Sequence, residues 1–193
     1  VPSDCLAAHL KRRLPAATHL TVAFRAIGRP SHGTATTMVE NLGRGGCIRR
    51  DGRLTPVPPA WKTRRIVLGR GPVETMTIPW GDVSTAWYST GISNIEVFMA
   101  APAPLRLVSH LARYLPGVFG SAAVQDFLKR RIDAGPAGPS PEERRRGRSF
   151  LWGEVSDAAG NIARTSLEDP EGYELTAMTA WDIARRVARE DVA

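Results

Sequence analysis

Most of the side chains able to do chemistry sit together in one stretch, Pro79-Trp80-Gly81-Asp82-Val83-Ser84-Thr85-Ala86-Trp87-Tyr88-Ser89-Thr90-Gly91-Ile92. A strand is expected to end there, a Gly-Asp turn to follow, and a short helix to gather a carboxylate, hydroxyls and aromatics. Two readings are compatible. In the first, Asp82 N-caps the helix by offering its carboxylate to the amides of Ser84 or Thr85, worth about 1 kcal/mol, and Gly91 closes the helix. In the second, Trp80, Asp82, Tyr88, Ser89 and Thr90 line a substrate pocket that aromatics shape and hydroxyls make selective for a polar ligand. The expectation is that Asp82 acts mainly as a cap and that Tyr88, Ser89 and Thr90 lie nearer the substrate. No catalytic residue is singled out.

Other chemistries fit the residues poorly. Gly43-Arg44-Gly45-Gly46 and Gly69-Arg70-Gly71 look like dinucleotide loops, but such a loop must leave a strand and open a helix. The first leaves a helix and enters a strand, and the second joins two strands. Both read as turns, so no cofactor-binding residue is expected within the chain. His9, His19, His32 and His110 are isolated from one another and from carboxylates at helical spacing, so no metal site is expected. No G-x-S-x-G elbow marks a hydrolase. Cys5 and Cys47 form no CxxC and read as reduced thiols.

Hydrophobic periodicity supplies the elements that must position the stretch. Ser3-Asp4 before Leu6, Leu10 and Leu14 reads as a capped amphipathic helix stopped by Pro15. Thr18 to Ala26 alternates as a half-buried strand. Ser31 to Leu42 reads as a helix with Gly43 as its stop. Asp51-Gly52, between the two halves of Cys47 to Val57, is a hairpin signal. Arg64 to Leu68, Val73 to Pro79 and Asn94 to Ala100 are further strands. Pro104 to Arg131 reads as helical, split at Leu115-Pro116-Gly117, with Leu105, Val108, Leu111 and Ala112 as an apolar stripe. Ser140-Pro141-Glu142-Glu143 is a capping box. Phe150 to Ser156 and Asn161 to Leu167 make a second hairpin, and Tyr173, Ala177, Ala180, Ala184 and Val187 line one face of a last helix. The strands come in hairpins, not in regular βαβ alternation. The fold class is therefore α+β, with a mixed, largely antiparallel sheet of about six or seven strands and helices on one face.

Composition agrees with one folded unit of 193 residues, hydrophobic at 42% and charged at 23%. We read it as a single domain over 1–193, with a helical insertion at 104–133 and a linker at 134–141. Apolar runs are broken well short of the roughly 18 residues that a spanning helix needs. Val1-Pro2-Ser3-Asp4 has no secretory character. The expected setting is cytoplasmic, with no membrane span. The net charge of +7 is carried by 23 arginines and three lysines. Many are grouped at helix ends, where cations complement the helix dipole.

The central stretch, with Asn94-Ile95-Glu96-Val97, resembles the saccharopine-dehydrogenase-like oxidoreductases, a group similar to trans-acting enoyl reductases. Val1-Pro2-Ser3-Asp4-Cys5-Leu6-Ala7 resembles the family's exit from its nucleotide domain. Trp152-Gly153-Glu154-Val155 and Gly172-Tyr173-Glu174-Leu175-Thr176-Ala177 resemble its final hairpin and helix. Ser93 departs from the pattern, which commonly has proline there, and so lacks proline's fixed φ. The resemblance implies a substrate-side and assembly domain of an NAD(P)-dependent enzyme. An N-terminal Rossmann domain, absent from this chain, would bind the cofactor, and hydride chemistry would occur in the cleft between the domains. It also implies a small-molecule substrate, a homodimer, and no NAD(P) bound by this chain alone. Two rivals stand beside it: a non-enzymatic assembly module, and a basic nucleic-acid-binding domain that would need a contiguous arginine stripe with interleaved aromatics.

Overall fold

A computed structural model describes residues 2–42 and 44–189 of the chain. The element order is α1 (Pro2–Arg13), β1 (His19–Ile27), α2 (His32–Asn41), β2 (Gly46–Arg50), β3 (Arg53–Val57), β4 (Thr63–Leu68), β5 (Gly71–Thr77), α3 (Asp82–Thr90), β6 (Asn94–Ala100), α4 (Ala103–Tyr114), α5 (Pro116–Phe119), α6 (Ala122–Asp133), α7 (Pro141–Arg146), β7 (Arg148–Ser156), β8 (Ile162–Pro170) and α8 (Gly172–Ala188). The α+β class holds. The sheet has eight strands, one more than the upper expectation.

The main path through the sheet is β3-β2-β6-β1-β7-β8, and β5 also pairs with β6, carrying β4 outside it. Among the described residues only β1 and β6 run parallel; the other pairs are antiparallel. β6 forks the sheet because its first half takes β2 at Arg49↔Ile95 and its second half takes β5 at Thr77↔Phe98 through Thr75↔Ala100.

Alternation along the strands divides the apolar residues between two faces. On the first face, Leu20, Val22, Ile95, Val97, Leu151 and Val155 meet Leu6, Ala7 and Leu10 of α1 and Val83 and Ala86 of α3. Gly153 lies under α1: a Cβ there would stand 2.5 Å from Leu10 Cδ1, so glycine permits the close approach. On the second face, Ala23, Phe98, Ile66 and Leu68 pack together as the β4–β5 hairpin bends across the sheet. Helices on one face therefore describe only half of the cover. The hairpin supplies the other.

Several local expectations are realised by identifiable interactions. Asp51 and Gly52 both take positive φ (48° and 78°), as a two-residue hairpin turn requires. The Gly52 N–H also donates to the Ser93 carbonyl at 2.9 Å, so the turn before β6 is held without proline. Ser140 and Glu143 form the reciprocal capping box of α7. The split helical segment becomes three helices, α4 to α6, because Pro116 and Gly117 open a separate short turn. The expected stop of α2, Gly43, lies outside the described residues; the helix ends at Asn41.

Two apolar stripes are corrected. In α8 the expected buried face is exposed from Ala177 onward, because the helix leaves β8 and projects. In α4 it is Ser109 and Ala112 that are buried, while Leu111 is exposed. Cys5 and Cys47 are both free. Among the described residues no helix is long and apolar enough to cross a membrane.

The second face carries a charged cluster. Arg64 from β4 donates two hydrogen bonds to Glu154 (2.9 and 3.2 Å), and Arg164 donates from β8. Burial raises the Glu154 pKa, but hydrogen bonds and charge from Arg64 and Arg164 outweigh burial and hold the carboxyl below its ordinary 4.5. A lowered carboxyl pKa stabilises the fold above the unfolded value, and that stabilisation is lost as pH falls through the folded value. Glu154→Gln is expected to cost about 1 kcal/mol at pH 7, discounted for the exposed arginines. The deficit should shrink below pH 4.5 in thermal melts. A deficit independent of pH would contradict this account.

Candidate functional site

The parallel strands β1 and β6 end at the same side of the sheet, with Phe24 opposite Met99 and, through β7, Leu151. There the first face emerges from under α1 and α3, whose N-terminal turns meet. The Ser3 side chain and the Asp4 carboxylate are both close enough to act on Asp82. Trp80 packs against Phe24 with ring centroids 5.1 Å apart and planes tilted by 49°. Ile78 is tied to β6 by its N–H donating to the Val97 carbonyl at 3.0 Å. This bond fixes where the chain enters α3.

Asp82 is not the cap that the Gly-Asp turn suggests. Gly81 already has helical φ and ψ, its carbonyl accepts from Ser84 and Thr85, and no side-chain cap bond forms. Asp82 is thereby moved into the first turn. Its carboxylate lies inward, and the residue is only 4% exposed. Its Oδ1 is buried without a hydrogen-bond partner, as is Oδ1 of Asp4. Burial, with the Asp4 charge adding to it, pushes the Asp82 carboxyl above its ordinary value of 3.8; the nearby Ser3 side chain opposes this only in part.

The five expected pocket residues do not converge. Trp80, 48% exposed, and Asp82 share the open end. Tyr88, Ser89 and Thr90 occupy the last turn of α3, about 9–12 Å along the helix from Asp82 at roughly 1.5 Å per residue. Successive helical residues also diverge by about 100° around the axis. Tyr88 therefore points to solvent at 84% exposure, opposite the packed face. The Ser89 hydroxyl is directed back to the Thr85 and Ala86 carbonyls, both at 3.4 Å. Thr90 is buried; its hydroxyl donates to the Ala86 carbonyl and accepts from the Ile92 N–H.

Phe24, Asp4 and Asp169 were not singled out by their spacing. Phe24 is one of several alternating apolar residues in β1, and its contact with Trp80 links positions far apart in the chain. Asp169 lies in the register row Asp169↔Ser149↔Ala26, one step beyond the Phe24 row on the same face. Its Oδ2 is buried without a partner, and burial raises its pKa. The resulting site is the Phe24–Trp80 pair with the buried Asp82 carboxyl at the open end of the parallel strands, and Asp169 lies farther out on the same face. Burial makes Asp82 and Asp169 hold a proton to higher pH than a free aspartate does.

On the opposite face a recess of about 220 Å³ is lined by His19, Thr21, Ile48, Arg50, Lys62 and Glu96, and the Lys62–Glu96 ion pair lies across it. No cluster of three or more His, Cys, Asp or Glu residues suited to a metal occurs among the described residues. Gly69 joins β4 to β5 with φ of 71° beneath the Phe150 ring, and Gly46 begins β2. Neither glycine run opens a helix.

No family model matches the chain, and no curated protein matches it. Among solved structures, the chain is similar to apo histidine-tagged saccharopine dehydrogenase (L-Glu forming) from Saccharomyces cerevisiae, at 7% identity and a TM-score of 0.44. The alignment covers 88% of this chain and 57% of that one, so the chain spans little more than half of that protein's length.

Proposed function

We propose that this chain is the substrate-facing and subunit-pairing domain of an NAD(P)-dependent oxidoreductase resembling saccharopine dehydrogenase. Its reaction would take place in a cleft against a nucleotide-binding domain outside these 193 residues. The resemblance of the 79–97 stretch supplies the reaction class. The observation that carries the reading is the buried, partly unpaired Asp82 carboxyl beside the exposed Trp80, at the open end between α1 and α3.

Bound NAD(P) would supply the hydride donor or acceptor. This chain's residues would do the rest. Trp80 and Phe24 cover one side of the reacting group and exclude water, which strengthens nearby electrostatic interactions. Asp82, with its pKa raised, holds or accepts the proton that must accompany hydride transfer to or from a heteroatom-bearing carbon. Asp4 tunes that proton affinity. Tyr88, Ser89 and Thr90 contribute through the integrity of α3, with Tyr88 free to touch a partner domain. The exposed second half of α8, with Trp181, Ile183 and Val187 in solvent, offers a surface for subunit pairing.

The test is turnover of NADH and NADPH by the complete protein with amino-, keto- and enoyl-acid acceptors. Asp82→Asn should lower kcat/KM about 100-fold or more, in the range for loss of a general acid or base. Trp80→Ala should lower it with a larger effect on KM, and Tyr88→Phe should leave it within twofold (~2) of the parent. Unchanged kcat/KM in both Asp82→Asn and Trp80→Ala would remove the site from the reaction.

A further inference from the structure

The lobe formed by α4, α5 and α6 carries a surface that the oxidoreductase reading does not use. In α4, Leu107, Leu111 and Tyr114 recur at i, i+4 and i+7, so they share a face. All three are exposed, Leu107 at 60%, and they are followed by exposed Leu115 and Val118. They are not the packed side of the helix, which is Ser109 and Ala112. α5 continues from α4 and contacts α6, where Phe127 is 56% exposed. Six large apolar side chains on one small lobe exceed the scattered exposure of an ordinary soluble surface.

The charges beside these residues are mostly positive. Arg106, His110 and Arg113 recur at the same spacing, one position before the apolar row. Arg130 and Arg131 flank Phe127, and the Arg131 guanidinium lies 5.6 Å from the centre of its ring. Among the described residues, none of Arg106, Arg113, Arg130 and Arg131 forms an ion pair. Across 103–133, five cations face two carboxylates, Asp126 and Asp133. A symmetric second copy placed on this lobe would set arginines against arginines. A surface that is apolar a few ångströms down and anionic at its edge satisfies both the leucines and the arginines. Tyr114, with His110 packed edge-on at 5.5 Å, adds an amphipathic ring of the kind favoured at that boundary.

We propose that the α4–α6 lobe docks the protein on an anionic lipid surface, with Leu107, Leu111, Tyr114 and Phe127 entering the headgroup layer and Arg130 and Arg131 meeting lipid phosphates. The association is peripheral and independent of the hydride chemistry. It is tested by co-sedimentation of the protein with vesicles of phosphatidylcholine alone and with 30% phosphatidylglycerol, a composition chosen at about physiological salt. The expected result is binding to the anionic vesicles at least about tenfold tighter than to the neutral ones. Arg130→Gln with Arg131→Gln should lower it by about tenfold or more, and Leu107→Asp with Leu111→Asp should abolish it. Both pairs are exposed, so circular dichroism and the melting temperature should stay at parent values. The proposal is overturned if anionic vesicles do not retain the parent protein, if neutral vesicles bind it equally, or if both double variants bind like the parent. It is also overturned if the parent ignores vesicles while Leu107→Asp with Leu111→Asp dissociates an oligomer, since the lobe would then be a surface between copies.

Discussion

Replacing Leu10 with alanine should cost about 2–5 kcal/mol of stability, the range for truncating a fully buried leucine. Leu10 has no exposed surface and lies between α1 and the strand pair β1–β7, directly above Gly153. The helix comes so close to the strand that nothing smaller than leucine fills the gap and nothing larger than glycine fits beneath it. Collapse into the cavity would draw α1 away from α3, so the site is affected as well as the core. The geometry also predicts coupling. Gly153→Ala alone should destabilise by about 1–3 kcal/mol through overpacking. In the Leu10→Ala background the added methyl enters vacated space, and the double variant should be more stable than the sum of its parts. Urea titrations of the four proteins measure this. A loss below about 1 kcal/mol for Leu10→Ala, or strict additivity, would mean that α1 does not pack on Gly153 as described.

Local signals in the sequence carried much of the architecture. Asp51-Gly52 determines its own turn because few other residue pairs tolerate two positive φ values. Ser140 and Glu143 satisfy each other's backbone donors, and Asn94 to Ala100 alternates cleanly because β6 is central, with both faces packed. What the sequence did not show depends on partners distant in the chain. The Gly-Asp turn looked like a cap, yet the bond from Ile78 to Val97 and the Trp80–Phe24 contact start the helical geometry at Gly81 and swing Asp82 inward. Adjacent hydroxyls in Tyr88-Ser89-Thr90 suggested a pocket in one dimension; a 100° helical step disperses them. The alanine stripe of α8 has the right period for burial, but β8 ends at Pro170 and offers no surface beyond the helix's first half. The β4–β5 hairpin packs on the second face through Arg64–Glu154, a pair 90 positions apart in the chain.

Asp82→Asn should stabilise the protein at neutral and alkaline pH, whereas a simple helix cap would make the same change nearly neutral at every pH. The folded protein raises the Asp82 pKa above 3.8 by burial and by the neighbouring Asp4 charge, so the folded state holds this proton more tightly than the unfolded state does. Stability attributable to Asp82 is then fully present below pH 3.8 and is lost as pH rises through the folded value, the opposite sign to Glu154. Asparagine keeps the shape, removes the charge and has no such loss. The difference between variant and parent should therefore be small in acid, grow with pH, and level off above the folded pKa. The plateau should be about 1–3 kcal/mol, the scale for relieving an unsatisfied buried polar group. Asp4→Asn should act in the same direction more weakly, by removing the charge that opposes ionisation of Asp82. Denaturant titrations from pH 3 to 9 in each protein measure the curves. A constant offset with pH, or destabilisation by Asp82→Asn at pH 8, would show that the carboxylate is satisfied and would remove the basis for assigning it a proton-holding role. Stabilisation together with loss of turnover in the same variant is the pattern expected of a residue kept charged and unpaired for chemistry at a cost to the fold.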